Sequence, residues 1–507
     1  LTRYRHLITD DNRKWWTLGA MCFALFMIML DNTIVNVALP SIQKDLGATI
    51  SGLEWTINGY TLSFAVLLAT GGRLGDIFGR RRMFLIGIVI FALSSATAGF
   101  APDQTSLVVS RIVQGIGGAL MMPGTLSIIT DAFPPEERGK AMGTWAGVSA
   151  LALAVGPVLG GFLTEHVSWR AIFYVNIPVA VGAVFATLFA VRESRDTSVG
   201  REVDYAGVAV LTAGLTALVL ALVEGNAWGW GSPEIIALLA GAAVALPVFV
   251  FVENRVKAPM VQFDLLSDRN FLAAVVVAMV ISFAMLGVFF FLALYMQNIL
   301  SYSPLEAGVR FLPSTLMIVA VAPVSGRLSD RYGPRWLITG GLVLVAASLF
   351  SFSQIAVDST YLDLLPGFML LGIGIAMTMS PMTSAAMNAV PVQKAGIASG
   401  VLSMFRMVGG SLGIAVTGAI FQSLSKSRLE GAGADPGAAA KADAFVYALS
   451  HAMIVSAFVV LVGAVVGVFG IRAKARTATS PQAATAEANP GGEAVAAKEA
   501  QEAAGAA

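Results

Sequence analysis

From Trp15 to Leu30, and again from Trp336 to Val357, the chain runs without one charged residue. A helix rising about 1.5 Å per residue needs about 20 mostly apolar residues to cross a bilayer core of ~30 Å. Runs of that length recur along the whole sequence. They dictate the fold class, because a backbone in hydrocarbon must satisfy its N–H and C=O groups within its own segment. Composition agrees: 56% of the 507 residues are hydrophobic and 12% charged, against about 25% charged in soluble domains. The expected fold is an all-α polytopic membrane protein.

The apolar windows give fourteen spans, near residues 15–38, 53–71, 83–101, 104–126, 141–163, 170–191, 205–225, 232–252, 270–296, 304–325, 335–355, 362–385, 396–422 and 444–470. An even number puts both chain ends on one side of the bilayer, and Arg and Lys select the side. The turns after spans 2, 6 and 10 carry Arg80–Arg82, Arg192/Arg195/Arg201 and Arg327/Arg331/Arg335. The leading segment 1–14 adds Arg3, Arg5, Arg13 and Lys14, and Arg472, Lys474 and Arg476 follow the last span. The opposite loops are poorer in base, apart from 423–441. Both termini are therefore expected in the cytoplasm, with the chain in the cytoplasmic (inner) membrane. The first apolar stretch runs into LDNTIVNVALP without a small-residue cleavage pattern and is expected to be a retained helix. Segment 477–507, rich in Ala, Glu, Pro and Gly, is expected to be a disordered cytoplasmic tail.

Several function classes drop out. A net charge of +1 gives no electrostatic basis for a nucleic-acid partner. Cys22 is the single cysteine, the three histidines are scattered, and neither CxxC nor HExxH occurs, so no metal site is expected. No GxxxxGK[ST] loop is present for ATP and no GxSxG elbow for a nucleophile. No cofactor and no enzymatic activity are expected, and the chain is expected to act as a monomer.

Two short turns are nearly the same. Residues 71–87 read GGRLGDIFGRRRMFLIG, and residues 325–341 read SGRLSDRYGPRWLITGG. Gly72, Asp76, Gly79 and Arg81 map onto Gly326, Asp330, Gly333 and Arg335 at one constant shift. Farther on, GIGGALMMP (115–123) resembles GIGIAMTMSP (372–381). The chain is thus expected as two related six-helix bundles, 15–191 and 270–470, with an inserted pair of helices, 205–252, between them. In the turns, glycines allow tight reversal, Asp76 can take backbone donors or pair with an Arg, and Arg80–Arg82 suit an anionic leaflet. One copy reads as a topology signal. Two copies point to a conformational latch built from Gly72, Asp76, Gly79, Arg80, Arg81, Asp330 and Arg335.

The first of these turns resembles motif A of the major facilitator superfamily. LDNTIVNVALP (30–40) resembles the signature of that superfamily's fourteen-helix drug:proton antiporter branch, and WRAIFYVNIP (169–178) is similar to it as well. RIVQGIGGAL (111–120) resembles motif B, and GVSALALAVGPVLGGFL (147–163) resembles motif C, the antiporter motif. The resemblance covers residues 15–470. It implies two bundles that rock about a central site, with span 5 sealing the far side.

Asp31 in span 1 and Arg111 in span 4 fall at similar depth, about seven residues from the outer ends of their helices. An isolated charge there costs at least ~2.5–3.5 kcal/mol, so each should face a cavity or a partner. Two roles stay open: holding helices together, or exchanging a proton at Asp31 with Arg111 setting its acidity. The second-half counterpart of Arg111 is Phe368, so one arginine suffices. In span 5, Gly147, Gly156, Gly160 and Gly161 allow close helix approach, and Pro157 weakens the backbone ladder; packing and gating both fit. Gly413 and Gly418 in span 13 partly echo this pattern.

Arg406 interrupts span 13 midway and is expected to need an acidic or carbonyl partner. Glu54, Glu224, Arg310 and His451 lie near outer span ends, where snorkelling accounts for them. Glu54 is the second choice as proton carrier. A binding cavity is sketched by Asn32, Trp55, Tyr60, Gln114, Met121, Phe283, Tyr295, Gln297, Met404 and Arg406, though each singly also fits helix packing. Span 10 (TLMIVAVAPVSG) has no acid in its middle to meet a dication. The expected function is proton-driven export of amphipathic or lipophilic compounds, monocationic or neutral. The alternatives are export of one native metabolite, lipid or antibiotic, and a non-transporting membrane sensor.

Overall fold

The computed structural model describes residues 10–195, 204–256, 259, 261, 263–390, 394–431 and 437–472, without a few side chains, that of Asp330 among them. The tail 477–507 and most of the leading segment 1–14 lie outside the described residues. Every regular element described is helical. The first group is α1 (Asp10–Leu46), α2 (Ile50–Phe78), α3 (Arg80–Gly99), α4 (Gln104–Ala132), α5 (Pro135–His166), α6 (Ala171–Tyr174) and α7 (Asn176–Ala190). Then come α8 (Tyr205–Trp228), α9 (Pro233–Glu253) and the short α10 (Phe263–Leu266). The last group is α11 (Arg269–Asn298), α12 (Pro304–Arg310), α13 (Leu312–Tyr332), α14 (Pro334–Phe352), α15 (Tyr361–Asn388), α16 (Ala395–Glu430) and α17 (Ala438–Gly470). Fourteen of the resulting helical segments are long and apolar enough to cross a membrane.

Two expected spans are each made of two helices, and proline explains both breaks. Pro178 has no N–H to donate to Tyr174, and Pro313 none for Val309, so the ladder lapses around Val175 and Phe311. Several helices also outrun their apolar windows. Helix α2 begins at Ile50 because Thr49 accepts from the Gly52 N–H, and Asp103 caps α4 by accepting from the Ser106 N–H. Caps end helices here; loss of hydrophobicity does not.

Helices α1–α7 pack on one another, and α11–α17 do likewise. Helices α8 and α9 form a hairpin whose α8 rests on both α2 and α16. In the most apolar window of α9 only 17% of residues are buried, against 83% in α11. The hairpin is peripheral and α11 is central.

The internal repeat is structural as well as textual. Gly79 (φ 113°) and Gly333 (φ 85°) each end one helix and begin the next in a backbone conformation that side chains resist. A Cβ on Gly117 would meet the α3 backbone at Gly87 and Phe91, while one on Gly374 would meet the α14 backbone at Gly341 and Val345. The motif-B glycines are packing glycines in both copies.

Odd-numbered spans run away from the end that carries both termini. That end is called near, and the other far. Hydrogen bonds join the two bundles toward the far end. They are Ser51–Gln422, Gln297–Val37, Leu305–Glu165, Ser411–Asn58 and Gln422–Glu54. These bonds close the far end. Gly117→Val and Gly374→Val should each lower the melting temperature in detergent, by the equivalent of about 1–3 kcal/mol of overpacking. Gly400→Ala, where an added Cβ meets nothing within 4 Å, should leave it unchanged or slightly raised. A matched loss in all three would contradict this packing.

Candidate functional site

Helix α1 carries Asp31 into the interior of the first bundle, where it is completely buried. Arg111 of α4, only 1% exposed, donates from Nη1 to Asp31 Oδ2 at 2.5 Å and to Gln114 Oε1 at 2.7 Å. Gln114 returns the contact, its Nε2 donating to Asp31 Oδ1 at 2.9 Å. Asn176, held inward just past the α6–α7 break, donates to the same Oδ1 at 3.3 Å and to Ser95 Oγ at 3.0 Å. Ser95 in turn donates to the Phe173 carbonyl at 2.9 Å, an acceptor beside the same break. Arg111 is finished by its Nε donating to the Thr56 carbonyl at 3.0 Å and by the Tyr60 ring, 4.3 Å from its guanidinium carbon.

The pairing at matched depth is therefore real, and it is tighter than two charges alone. Asp31 accepts three donors from α4 and α7, all inside one bundle. Ser95 and Asn176 were not signalled by the sequence, since small polar residues are common in helices. The break at WRAIFYVNIP was the available clue. The counterpart position, Phe368, sits in an aromatic cluster with Phe311, Phe352 and Tyr361. Where the first bundle holds charges, the second holds rings.

A second carboxylate lies on the seam between the bundles. Glu54 of α2 is completely buried against Gly418 of α16, so it does not snorkel. Its Oε1 accepts from Gln422 Nε2 at 3.0 Å and its Oε2 has no partner. Beside it Trp55 donates to Glu224 of α8 at 3.1 Å, and Asn226 of α8 donates to the Ala419 carbonyl at 2.7 Å. The inserted hairpin thus bonds to both bundles at their far-end seam.

Helix α5 is wedged into that seam. A Cβ on Gly160 would come within 2.6 Å of the Ile34 carbonyl of α1, and one on Gly156 would strike Thr33. Gly161 faces Pro304 and Leu305 of the other bundle, and Gly308 closes on the Pro157 backbone. Gly413 and Gly418 of α16 repeat the arrangement, against Phe283 of its own bundle and Glu54 of the other. Gly147 differs from its fellows: a Cβ there would meet nothing within 4 Å, so it serves no close approach.

In the near-end turn, Arg80 pairs with Asp76 at 2.9 Å and with Asp131 at 3.4 Å. Arg81 donates to the Leu188 carbonyl, and the Glu193 carboxylate accepts from the Arg81 and Arg82 backbone N–H groups. Gly72 lets α2 close on Pro123 of α4, 3.3 Å from where a Cβ would be. All these contacts stay within the first bundle. In the second copy Arg335 lies 4.9 Å from the Trp336 ring, its Nε buried without a partner, and the Asp330 side chain is outside the description.

The residues sketched as a cavity do not form one lining. Tyr60 and Gln114 belong to the Asp31 cluster. Met121 is buried against Gly87, Met404 is buried in α16, and Phe283 packs under Gly413. Tyr295 donates to the Ala356 carbonyl, Gln297 to the Val37 carbonyl across the seam, and Asn32 to Ile28 of its own helix. Arg406 lacks the expected acidic or carbonyl partner: among the described residues it has no hydrogen bond, ion pair or ring contact.

The sequence profile of the Major Facilitator Superfamily matches residues 21–414. The tetracenomycin C resistance and export protein of Streptomyces glaucescens is 38% identical over 81% of this chain and 76% of its own length. A puromycin resistance protein of Streptomyces alboniger is 38% identical over 90% of this chain and 91% of its own. In fold, the chain is similar to the crystal structure of an auto-inhibited POT family peptide transporter, with a TM-score of 0.65 at 13% identity, covering 90% of this chain and 96% of that one.

Removing one member of the buried pair strands the other. Asp31→Ala and Arg111→Met should each destabilise the protein by about 3–5 kcal/mol. The double variant should lose clearly less than the sum, read as a double-mutant cycle of detergent-solubilised unfolding. Additive losses would show that the two side chains do not act as a pair.

Proposed function

The chain belongs to the Major Facilitator Superfamily, and from that premise we propose that it is a proton-coupled antiporter expelling amphipathic small molecules by alternating access. Its relatives include resistance and export proteins for single antibiotics and multidrug resistance proteins, which supports a drug-efflux transporter rather than an enzyme. The finer reading rests on one observation: a carboxylate and a guanidinium are locked together, fully desolvated, inside one bundle.

The near end, with its arginine-rich turns and both termini, is the cytoplasmic side under the positive-inside rule. The conformation described is then closed to the outside. Here Asp31 accepts three donors and pairs with Arg111. When the far end opens, an outside proton neutralises Asp31, the pair loosens, and substrate leaves. Return to the inward state re-forms the pair and sends the proton to the cytoplasm. Glu54 follows a related logic on the seam. With one amide donor it is less costly neutral than charged while shut in, so closing the far end and protonating Glu54 favour each other. The Asp76–Arg80 turn is a latch that meets the second bundle when the near end closes.

A second reading is a narrow exporter of one native compound, favoured by relatives named for tetracenomycin C, puromycin and actinorhodin. Proteoliposomes test the coupling. Substrate-triggered pH change, with ethidium and a neutral apolar drug as probes, should appear in wild type and vanish in Asp31→Asn while binding persists. Equal proton movement in both would remove Asp31 from the role and leave Glu54 as the carrier. Transport without any pH change in wild type would refute proton coupling. Binding of one probe without the other would favour the narrow exporter.

A further inference from the structure

At the far end of the second bundle, α16 and α17 stand apart. Deeper in, the two helices touch: the Thr417 and Ser456 hydroxyls lie 3.3 Å apart, and Phe421 packs against Phe445 with ring centroids 4.8 Å apart. Toward the helix ends a cleft of about 460 Å³ opens between them. Each wall is one stripe of a helix, with Leu424, Ser427 and Arg428 on α16, and Ala440, Asp443 and Tyr447 on α17. The cleft straddles the edge of the hydrocarbon. The apolar windows 396–422 and 444–470 end and begin here, so Leu424 and Asp443 fall at the boundary. Arg428 lies about 9 Å beyond it along the helix, at 1.5 Å per residue. That depth is the headgroup layer. Tyr447 stands just inside, where tyrosines gather at membrane–water interfaces.

Arg428 donates from Nε to Asp443 Oδ2 at 3.0 Å, and its guanidinium carbon lies 4.9 Å from the Tyr447 ring centroid. That bond takes one of the guanidinium's five donors and one of the two carboxylate oxygens. The two side chains stay 52% and 57% exposed, which leaves the Nη groups and Oδ1 open to a guest. The guest must satisfy a fork of donors and, beside it, an anionic acceptor. A phosphate diester matches the fork with two parallel hydrogen bonds. A primary ammonium, with three donors, matches the oxygen. A zwitterion that carries both completes a closed ring of four alternating charges, with the Ser427 and Tyr447 hydroxyls bordering the same cleft. A quaternary ammonium is served less well. It has no N–H to donate, and the aromatic face that would hold it, that of Tyr447, already carries the guanidinium. A headgroup with negative charge alone would meet Asp443 as a like charge.

We propose that this cleft is a lipid site holding the headgroup of a far-leaflet phosphatidylethanolamine, its phosphate on the Arg428 Nη groups and its ammonium on Asp443 Oδ1. Leu424, at the hydrocarbon edge, meets the glycerol end of the lipid. The site accounts for an oddity of the sequence. Stretch 423–441 carries Lys426, Arg428 and Lys441 on the base-poor side of the membrane, where an arginine has no topological use. A lipid phosphate gives Arg428 one. The inference goes beyond the exporter reading and stands whatever compound is moved.

The test uses full-length protein, delipidated in detergent, with native mass spectrometry to follow the binding of dioleoyl lipids. Phosphatidylethanolamine should bind wild type at least about tenfold more tightly than phosphatidylcholine or phosphatidylglycerol at the first site filled, the size expected of one charge-assisted pair. Asp443→Asn should bring phosphatidylethanolamine within about twofold of phosphatidylcholine. Arg428→Gln should weaken both by about tenfold. Both positions are more than half exposed, so the melting temperature without lipid should stay at the wild-type value and show that the variants are folded. Arg428→Lys, which should keep only part of the affinity, takes the place of Arg428→Gln if that variant does not fold. Equal or tighter binding of phosphatidylcholine or phosphatidylglycerol by wild type overturns the proposal, as does a preference that survives in Asp443→Asn and Arg428→Gln. Failure of wild type to bind phosphatidylethanolamine overturns it too. A further arm separates lipid from soluble ligand. O-phosphorylethanolamine and inorganic phosphate should each bind far more weakly than the lipid, since neither has an apolar end to place at the hydrocarbon edge. Binding of either as tightly as the lipid would make the cleft a site for a soluble phosphate compound and sink the lipid assignment.

Discussion

The Asp31–Arg111 pair is the interaction on which the first bundle depends. Burying either charge alone in this medium costs several kcal/mol, and the pair is tolerable because Gln114, Asn176 and the Thr56 carbonyl add hydrogen bonds to it. Five elements supply the groups that use them: α1, α2, α3, α4 and the α6–α7 break. The cluster therefore fixes the mutual register of those elements more strictly than apolar packing, which tolerates sliding. The second bundle meets the same packing problem with Phe311, Phe352, Phe368 and Tyr361, where no hydrogen bond constrains direction. Duplicated helices, unequal fillings: one bundle carries a buried charge pair where the other carries rings.

Movement between the bundles depends on a different device. Helices α5 and α16 each show one glycine face to their own bundle and another to the opposite one. Contact of that kind brings no side chain from the glycine's own position, which leaves less to interlock as the surfaces part. The hydrogen bonds described across the seam gather toward the far end. The inserted hairpin adds bonds to both bundles at that end, through Glu224 to Trp55 and Asn226 to Ala419. It straps the far-end seam from outside.

Much of this was legible in the sequence, for definite reasons. Apolar run length gives the span count because hydrocarbon leaves backbones no alternative to helix. The repeat gave the two positive-φ glycines their common role. Charged residues inside a membrane are rare enough that Asp31 and Arg111 at equal depth could be matched. The failures have physical causes as well. Ser95 and Asn176 carry no signal, since a short polar side chain satisfies itself on its own helix wherever no partner exists. Glu54 looked like an interface residue because span position measures depth, whereas burial at a seam depends on which bundle lies alongside. Helix ends were misplaced because caps, not polarity, terminate them. The sketched cavity dissolved into packing for the same reason: Met and aromatic residues fill helix contacts and pockets alike.

The two buried carboxylates differ in what they can sense. Asp31 lies wholly within one bundle, so rocking leaves its partners in place, and only a local loosening of α1 against α4 frees it. Glu54 lies between bundles, and parting the seam removes Gln422 and Gly418 together and admits water. Its surroundings therefore follow the conformation directly, while those of Asp31 follow it at one remove, through Ile34 and Thr33, which α5 presses from the same seam. That contact is the physical link between the two. Gly156 and Gly160 bring the sealing helix onto the two turns of α1 that carry Asp31, so a shift of α5 as the far end opens is felt at the ion pair. A charge pair with no such neighbour would be insulated from whatever happens at the seam.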